Sequence, residues 1–113
     1  MSGAPENWVT QVRKGILELC LLNSLRSGPK YGYDIARDLR AVDGLVVNEG
    51  TIYPILSRLK RERVLTTTIE ESAEGPPRKY YALTAAGRRL ITKMNDHWSK
   101  LTRGIDHLME QAE

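Results

Sequence analysis

Residues 50–62, Gly-Thr-Ile-Tyr-Pro-Ile-Leu-Ser-Arg-Leu-Lys-Arg-Glu, constrain the fold more than any other segment of this chain. Ile52, Ile55, Leu56 and Leu59 recur at the i, i+3, i+4, i+7 spacing of a helix with one apolar stripe. Thr51, Tyr53, Pro54, Ser57, Arg58 and Arg61 fall on the other side. Proline has no backbone N–H, so Pro54 requires a place near the helix start, with Asn48 or Gly50 as the N-cap. The amino-terminal end then offers small polar side chains, unpaired N–H groups and the positive end of the helix dipole. Those groups suit phosphates and base edges. The same face would also serve as the solvated side of an ordinary core helix.

The flanking segments decide between these uses. Leu65 to Glu71 is rich in β-formers, and Lys79 to Thr84 forms a second strand. Between them Ser72 to Arg78 carries Gly75, Pro76 and Pro77, a turn longer than a tight hairpin. Arg78 and Lys79 lie where the chain leaves the tip. Upstream, residues 9–26 form a first helix ended by Ser27-Gly28-Pro29. Residues 31–42 form a second, with Ile35, Leu39 and Val42 as its buried line, and Asp43-Gly44 breaks it. Two helices joined by a short turn, the second exposed and polar, make a helix-turn-helix. A reading helix followed by a basic hairpin, or wing, is an arrangement that grips duplex DNA.

Thr84 can cap a last helix from Ala85 to about Gln111. Its apolar residues Ile91, Met94, Trp98, Leu101, Ile105 and Leu108 are spaced 3, 4, 3, 4, 3, which is a heptad seam. The seam predicts pairing with a second copy, shared with packing along the first helix. The first helix is itself apolar over more than one stripe, so its extra face also suits another subunit.

Charge supports a polyanionic partner. The formal net charge is +3, and nine of the 17 Lys and Arg residues lie between Arg58 and Lys93. No apolar stretch reaches the roughly 20 residues that cross a bilayer, and no leader peptide is evident. The lone Cys20 reads as a small core residue in a reducing cytoplasm. His97 and His107 have no cysteine partner at zinc-site spacing, so no metal or cofactor is expected. No nucleophile elbow, phosphate loop or carboxylate pair points to an enzyme.

Four segments together resemble the PadR-like transcriptional regulators: Gly15-Ile16-Leu17-Glu18-Leu19, Tyr31-Gly32-Tyr33-Asp34-Ile35, residues 50–59, and Gly75-Pro76-Pro77-Arg78-Lys79-Tyr80-Tyr81-Ala82-Leu83-Thr84. The match runs in order over about residues 9–90. The single carboxy-terminal helix is similar to the short-tailed branch, whose members are winged-helix homodimers, mostly repressors released by small molecules. The resemblance implies DNA contacts at Tyr31, Thr51, Tyr53, Pro54, Arg58, Arg78 and Lys79. It also implies that Trp98 lines an effector slot at the dimer centre. Drug-sensing members carry a carboxylate one turn further on, where this chain has Thr102, so their preference for cationic aromatics does not carry over, which leaves neutral or anionic planar ligands, or no ligand at all, open.

The fold expected is mainly α with a small β-hairpin: a winged helix-turn-helix over residues 1–84 and a dimerisation helix over 85–113. The function expected is a cytoplasmic homodimeric repressor that binds an inverted repeat in double-stranded DNA, with a planar aromatic effector and no membrane partner. Two rivals are an activator or chromatin-like factor with little sequence preference, and an interaction module that uses the heptad helix to bind another protein.

Overall fold

The structure, a computed structural model, describes residues 5–111. In chain order the elements are α1 (Pro5–Ser24), β1 (Lys30–Tyr31), α2 (Gly32–Arg40), α3 (Glu49–Arg61), β2 (Leu65–Glu70), β3 (Arg78–Leu83) and α4 (Ala85–Gln111). The strands form one antiparallel sheet in the order β1-β3-β2. The hairpin expected from the sequence is therefore the larger part of a three-stranded sheet.

Among the described residues α1 already runs from Pro5, ahead of the expected Val9, and proline is tolerated in a first helical turn. It ends at Ser24 and unwinds through three i→i+3 bonds, the last from Gly28 N–H to the Leu25 carbonyl. α2 is shorter than expected. It stops at Arg40, where the Ala41 N–H is shared among the carbonyls of the preceding turn. Val42 consequently leaves the predicted buried line and is exposed. Arg13 Nε donates to the Gly44 carbonyl at 2.9 Å and ties α1 to the loop before α3.

α3 is capped by Asn48, whose Oδ1 accepts from Thr51 N–H and from Thr51 Oγ1, each at 3.0 Å. With Asn48 as cap, Pro54 stands sixth in the helix, near its start but beyond the first turn. The helix continues because only the exposed Gly50 carbonyl loses an i+4 donor, and water can replace it. The far end closes with two bonds: Val64 N–H to the Leu59 carbonyl at 2.9 Å and Arg63 N–H to the Lys60 carbonyl at 3.0 Å. This closure needs a left-handed residue, and Arg63 supplies it at φ 63°.

The core gathers one stripe from each helix: Leu21, Leu22 and Leu25 with Ile35, Leu39, Ile52, Leu56 and Leu59. The sheet adds Leu65, Tyr81 and Leu83. α4 joins this core through its first turns. Thr84 Oγ1 donates to the Arg63 carbonyl at 2.7 Å and accepts from Gly87 N–H at 3.0 Å. A Cβ on Gly87 would stand 2.2 Å from the Val64 carbonyl oxygen, so α4 approaches the chain there as only glycine permits. Ile91 is 2% exposed and closed into this same core. It was expected in a seam between two copies; the close approach at Gly87 turns it inward instead.

Candidate nucleic-acid interface

The sheet register brings the start of α2 beside the root of the wing. Tyr31 pairs with Tyr80 and Lys30 with Tyr81. The Tyr31 ring lies 6.0 Å from that of Tyr80 and 6.5 Å from that of Tyr33. The Arg78 guanidinium sits 5.1 Å over the Tyr31 ring, within cation–π range. Aromatic stacking thus holds Arg78 at the root of the wing, in contact with the residue that begins α2. The two-residue strand β1 creates this cluster, and it is too short to show any alternation in the sequence.

Tyr53 stands on the exposed side of α3 and leans on Gly32. A Cβ at Gly32 would lie 3.1 Å from the Tyr53 ring and 3.2 Å from its hydroxyl. Gly32 therefore fixes where the Tyr53 ring rests. Beneath it Tyr81 is buried, and burial first, then neighbouring Tyr53, raises its hydroxyl above the ordinary value. Thr51, Pro54 and Lys79 are exposed. Thr51 is steadied by Asn48, which sequence reasoning offered only as one of two caps.

Arg58 differs from the expectation. Its Nη1 donates to both carboxylate oxygens of Glu62, at 3.1 and 3.3 Å, and its Nη2 donates to Glu18 Oε1 of α1. The hydrogen bond to Glu18 is the chief reason that its guanidinium pKa is raised, with Glu62 second. Arg58 thereby braces α3 against α1, with both arms of its guanidinium bonded to carboxylates. Glu18 was noticed in the sequence only as part of a motif. Its contact crosses 40 positions of the chain, which no local pattern reports.

Four of the six seam positions on α4 are exposed: Trp98 at 39%, Leu101 at 58%, Ile105 at 45% and Leu108 at 68%. Met94 is half-buried against the core. Trp98 and Ile105 border a groove of about 720 Å³ between α1 and α4, floored by Ile16 and Met94 and flanked by the exposed Trp8. Thr102 turns its hydroxyl onto the Trp98 carbonyl at 2.9 Å. No helix among the described residues is long and apolar enough to cross a membrane.

Comparison with known proteins agrees with this architecture. Residues 21–93 match the model of the Transcriptional regulator PadR-like family. A PadR-like transcription factor from Bacteroides fragilis is 40% identical, with a TM-score of 0.74 over 90% of this chain and 98% of that one. A PadR-like transcriptional regulator from Bacillus cereus is 33% identical, with a TM-score of 0.81 over 91% of this chain and 99% of that one. A PadR family regulator from Eggerthella lenta is 31% identical, with a TM-score of 0.79 over 95% of this chain and 93% of that one. The chain belongs to the PadR-like family of transcriptional regulators, winged-helix proteins that regulate by binding DNA and are not enzymes.

Proposed function

We propose that this chain is a homodimeric repressor that sets the α3 helices of two copies into successive major grooves of an inverted repeat. The reading rests above all on the joint placement of the α3 amino terminus and the wing. Thr51, Tyr53 and Pro54 occupy the exposed surface of α3, and Arg78 is held at the wing root by Tyr31. In this reading Tyr53 meets base edges, while Arg78 and Lys79 meet phosphates or a narrow minor groove. Tyr31 contributes at the start of α2. Residues 1–84 serve as the DNA-binding part and residues 85–113 as the dimerisation helix, and a DNA target places the protein in the cytoplasm.

The dimer interface is Trp98, Leu101, Ile105 and Leu108 with the exposed face of α1. Trp98, Leu101 and Ile105 line one groove with Trp8, Val12 and Ile16 of α1, and Leu108 is exposed further along α4. Trp98 and its mate form the walls of a slot for a planar aromatic, which releases DNA by favouring one spacing of the two α3 helices. Selection of bound fragments from genomic DNA tests the reading, together with sedimentation of wild type and Leu101→Asp. An inverted repeat bound by two chains, and a dissociated or unfolded Leu101→Asp, are expected. Retention of DNA without sequence preference would overturn it.

A further inference from the structure

The Glu18–Arg58–Glu62 cluster ties the charge of α3 to α1, and the proposed interface does not use it. It sits on the flank of α3 that carries Thr51, seven positions before Arg58 and so two turns away. Lys14, one turn before Glu18 on α1, borders the same groove as Thr51. The α1-facing flank thus runs from the α3 cap region past Lys14 to the Arg58 cluster. A duplex lying on the amino-terminal half of α3 would bring its backbone near this flank.

The charge of the cluster is the unusual part. One guanidinium lies between two carboxylates, so the three side chains together carry −1. Side-chain exposures of 38% for Arg58, 28% for Glu18 and 51% for Glu62 leave all three within reach of solvent and of an approaching polyanion. An arginine placed only to attract phosphate would be served poorly by this arrangement. A phosphate would have to displace two carboxylates already bonded to the same fork. Random DNA binds almost wholly through phosphate neutralisation, so it loses most when a cation is withheld. An operator keeps its base contacts and loses proportionately less.

We propose that Glu18 is a specificity-determining residue that acts through Arg58: it withholds this cation from the DNA backbone and thereby lowers affinity for random sequence relative to the operator. Glu62 assists from the same helix. The inference rests on the assignment of α3 as the DNA-facing helix. Glu18→Gln keeps the shape of the side chain and an acceptor for Arg58, but removes the charge.

The experiment measures binding of random duplex and of selected operator by the full chain across a salt series, with thermal unfolding of each variant alongside. Glu18→Gln takes the cluster from −1 to neutral and leaves Arg58 balanced by Glu62 alone, so the log–log salt slope on random duplex should steepen, by at most about 0.9 for each protomer bound. One negative charge fewer on each protomer should raise low-salt affinity for random duplex by up to roughly tenfold. The operator-to-random ratio should fall. In Glu18→Gln with Arg58→Gln, the net charge of the cluster returns to −1, and random binding should return to the wild-type level. Should Glu18→Gln fail to fold, Glu62→Gln should shift slope and affinity in the same direction. A wild-type slope in Glu18→Gln, or a gain that persists without Arg58, would overturn the proposal while wild-type operator preference still stood. Wild-type protein with no DNA binding would instead overturn the DNA-binding reading itself.

Discussion

Asn23 of α1 and Asn95 of α4 hold each other by two opposed amide hydrogen bonds. Asn23 Nδ2 donates to Asn95 Oδ1 at 2.8 Å, and Asn95 Nδ2 donates to Asn23 Oδ1 at 2.9 Å. Asn23 Nδ2 also donates to the Leu19 carbonyl. The pair is half-buried and fixes the rotation of α4 on α1 one turn before Trp98. It therefore helps to decide which face of α4 remains open to a second copy. Asn95→Ala would remove both cross-helix bonds and leave Asn23 with its Leu19 bond, and urea unfolding should show a loss of about 1–2 kcal/mol. An unchanged midpoint would remove the clasp from the account of how α4 is set.

Gly87 is the second device that sets α4. An added Cβ meets the Val64 backbone oxygen at 2.2 Å, and neither partner is a flexible side-chain end. Gly87→Ala must push α4 away from the junction between α3 and β2. We expect a cost of about 1–3 kcal/mol, read as a lower thermal midpoint. A variant as stable as wild type would show that the contact relaxes freely.

Arg63 presents the opposite case. Its left-handed backbone at φ 63° closes α3, yet it carries a Cβ that makes this conformation costly. Arg63→Gly should keep the closing bonds to Leu59 and Lys60 and stabilise the protein by up to about 1 kcal/mol, measured by chemical unfolding. Destabilisation would mean that the arginine side chain contributes more than its backbone strain costs.

Burial raises the Tyr81 hydroxyl above its ordinary value, with Tyr53 as a second cause. The folded protein therefore holds this proton more tightly than the unfolded chain. The resulting stability is fully present below the unfolded tyrosine range, near about pH 10, and is lost as pH climbs through the raised folded value. Cys20 acts in the same sense from its own range, since burial raises its thiol too. Tyr81→Phe should flatten the alkaline limb of a stability-against-pH curve. An identical limb in wild type and variant would assign it to other groups.

Legibility in the sequence followed the range of the interaction. The α3 stripe of Ile52, Leu56 and Leu59, the strands on either side of the Gly-Pro-Pro turn and the Thr84 cap all depend on neighbours a few positions away. Periodicity and cap chemistry therefore report them. β1 exists only because Tyr31 finds Tyr80 across the fold, and two residues carry no period. The turn of Ile91 into the core depends on a backbone approach at Gly87 that a heptad spacing does not encode. The pairing of Arg58 with Glu18 joins residues far apart in sequence, which periodicity does not report, whereas Glu62 lies at the i+4 spacing of a helix pair.

In the proposed function the amino-terminal half of α3 reads the sequence of the duplex. Tyr53 tests this directly, since it is exposed on α3 and its ring is positioned by Gly32. The deciding measurement is competition binding of wild type and Tyr53→Ala on a selected operator and on random duplex at one fixed salt concentration. Unfolding curves for both proteins control for loss of the Gly32 contact. Tyr53→Ala should lose about 1–3 kcal/mol on the operator, roughly fivefold to 150-fold, and little on random duplex. Equal losses on both duplexes, or no loss on either, would contradict the assignment of α3 as the reading helix.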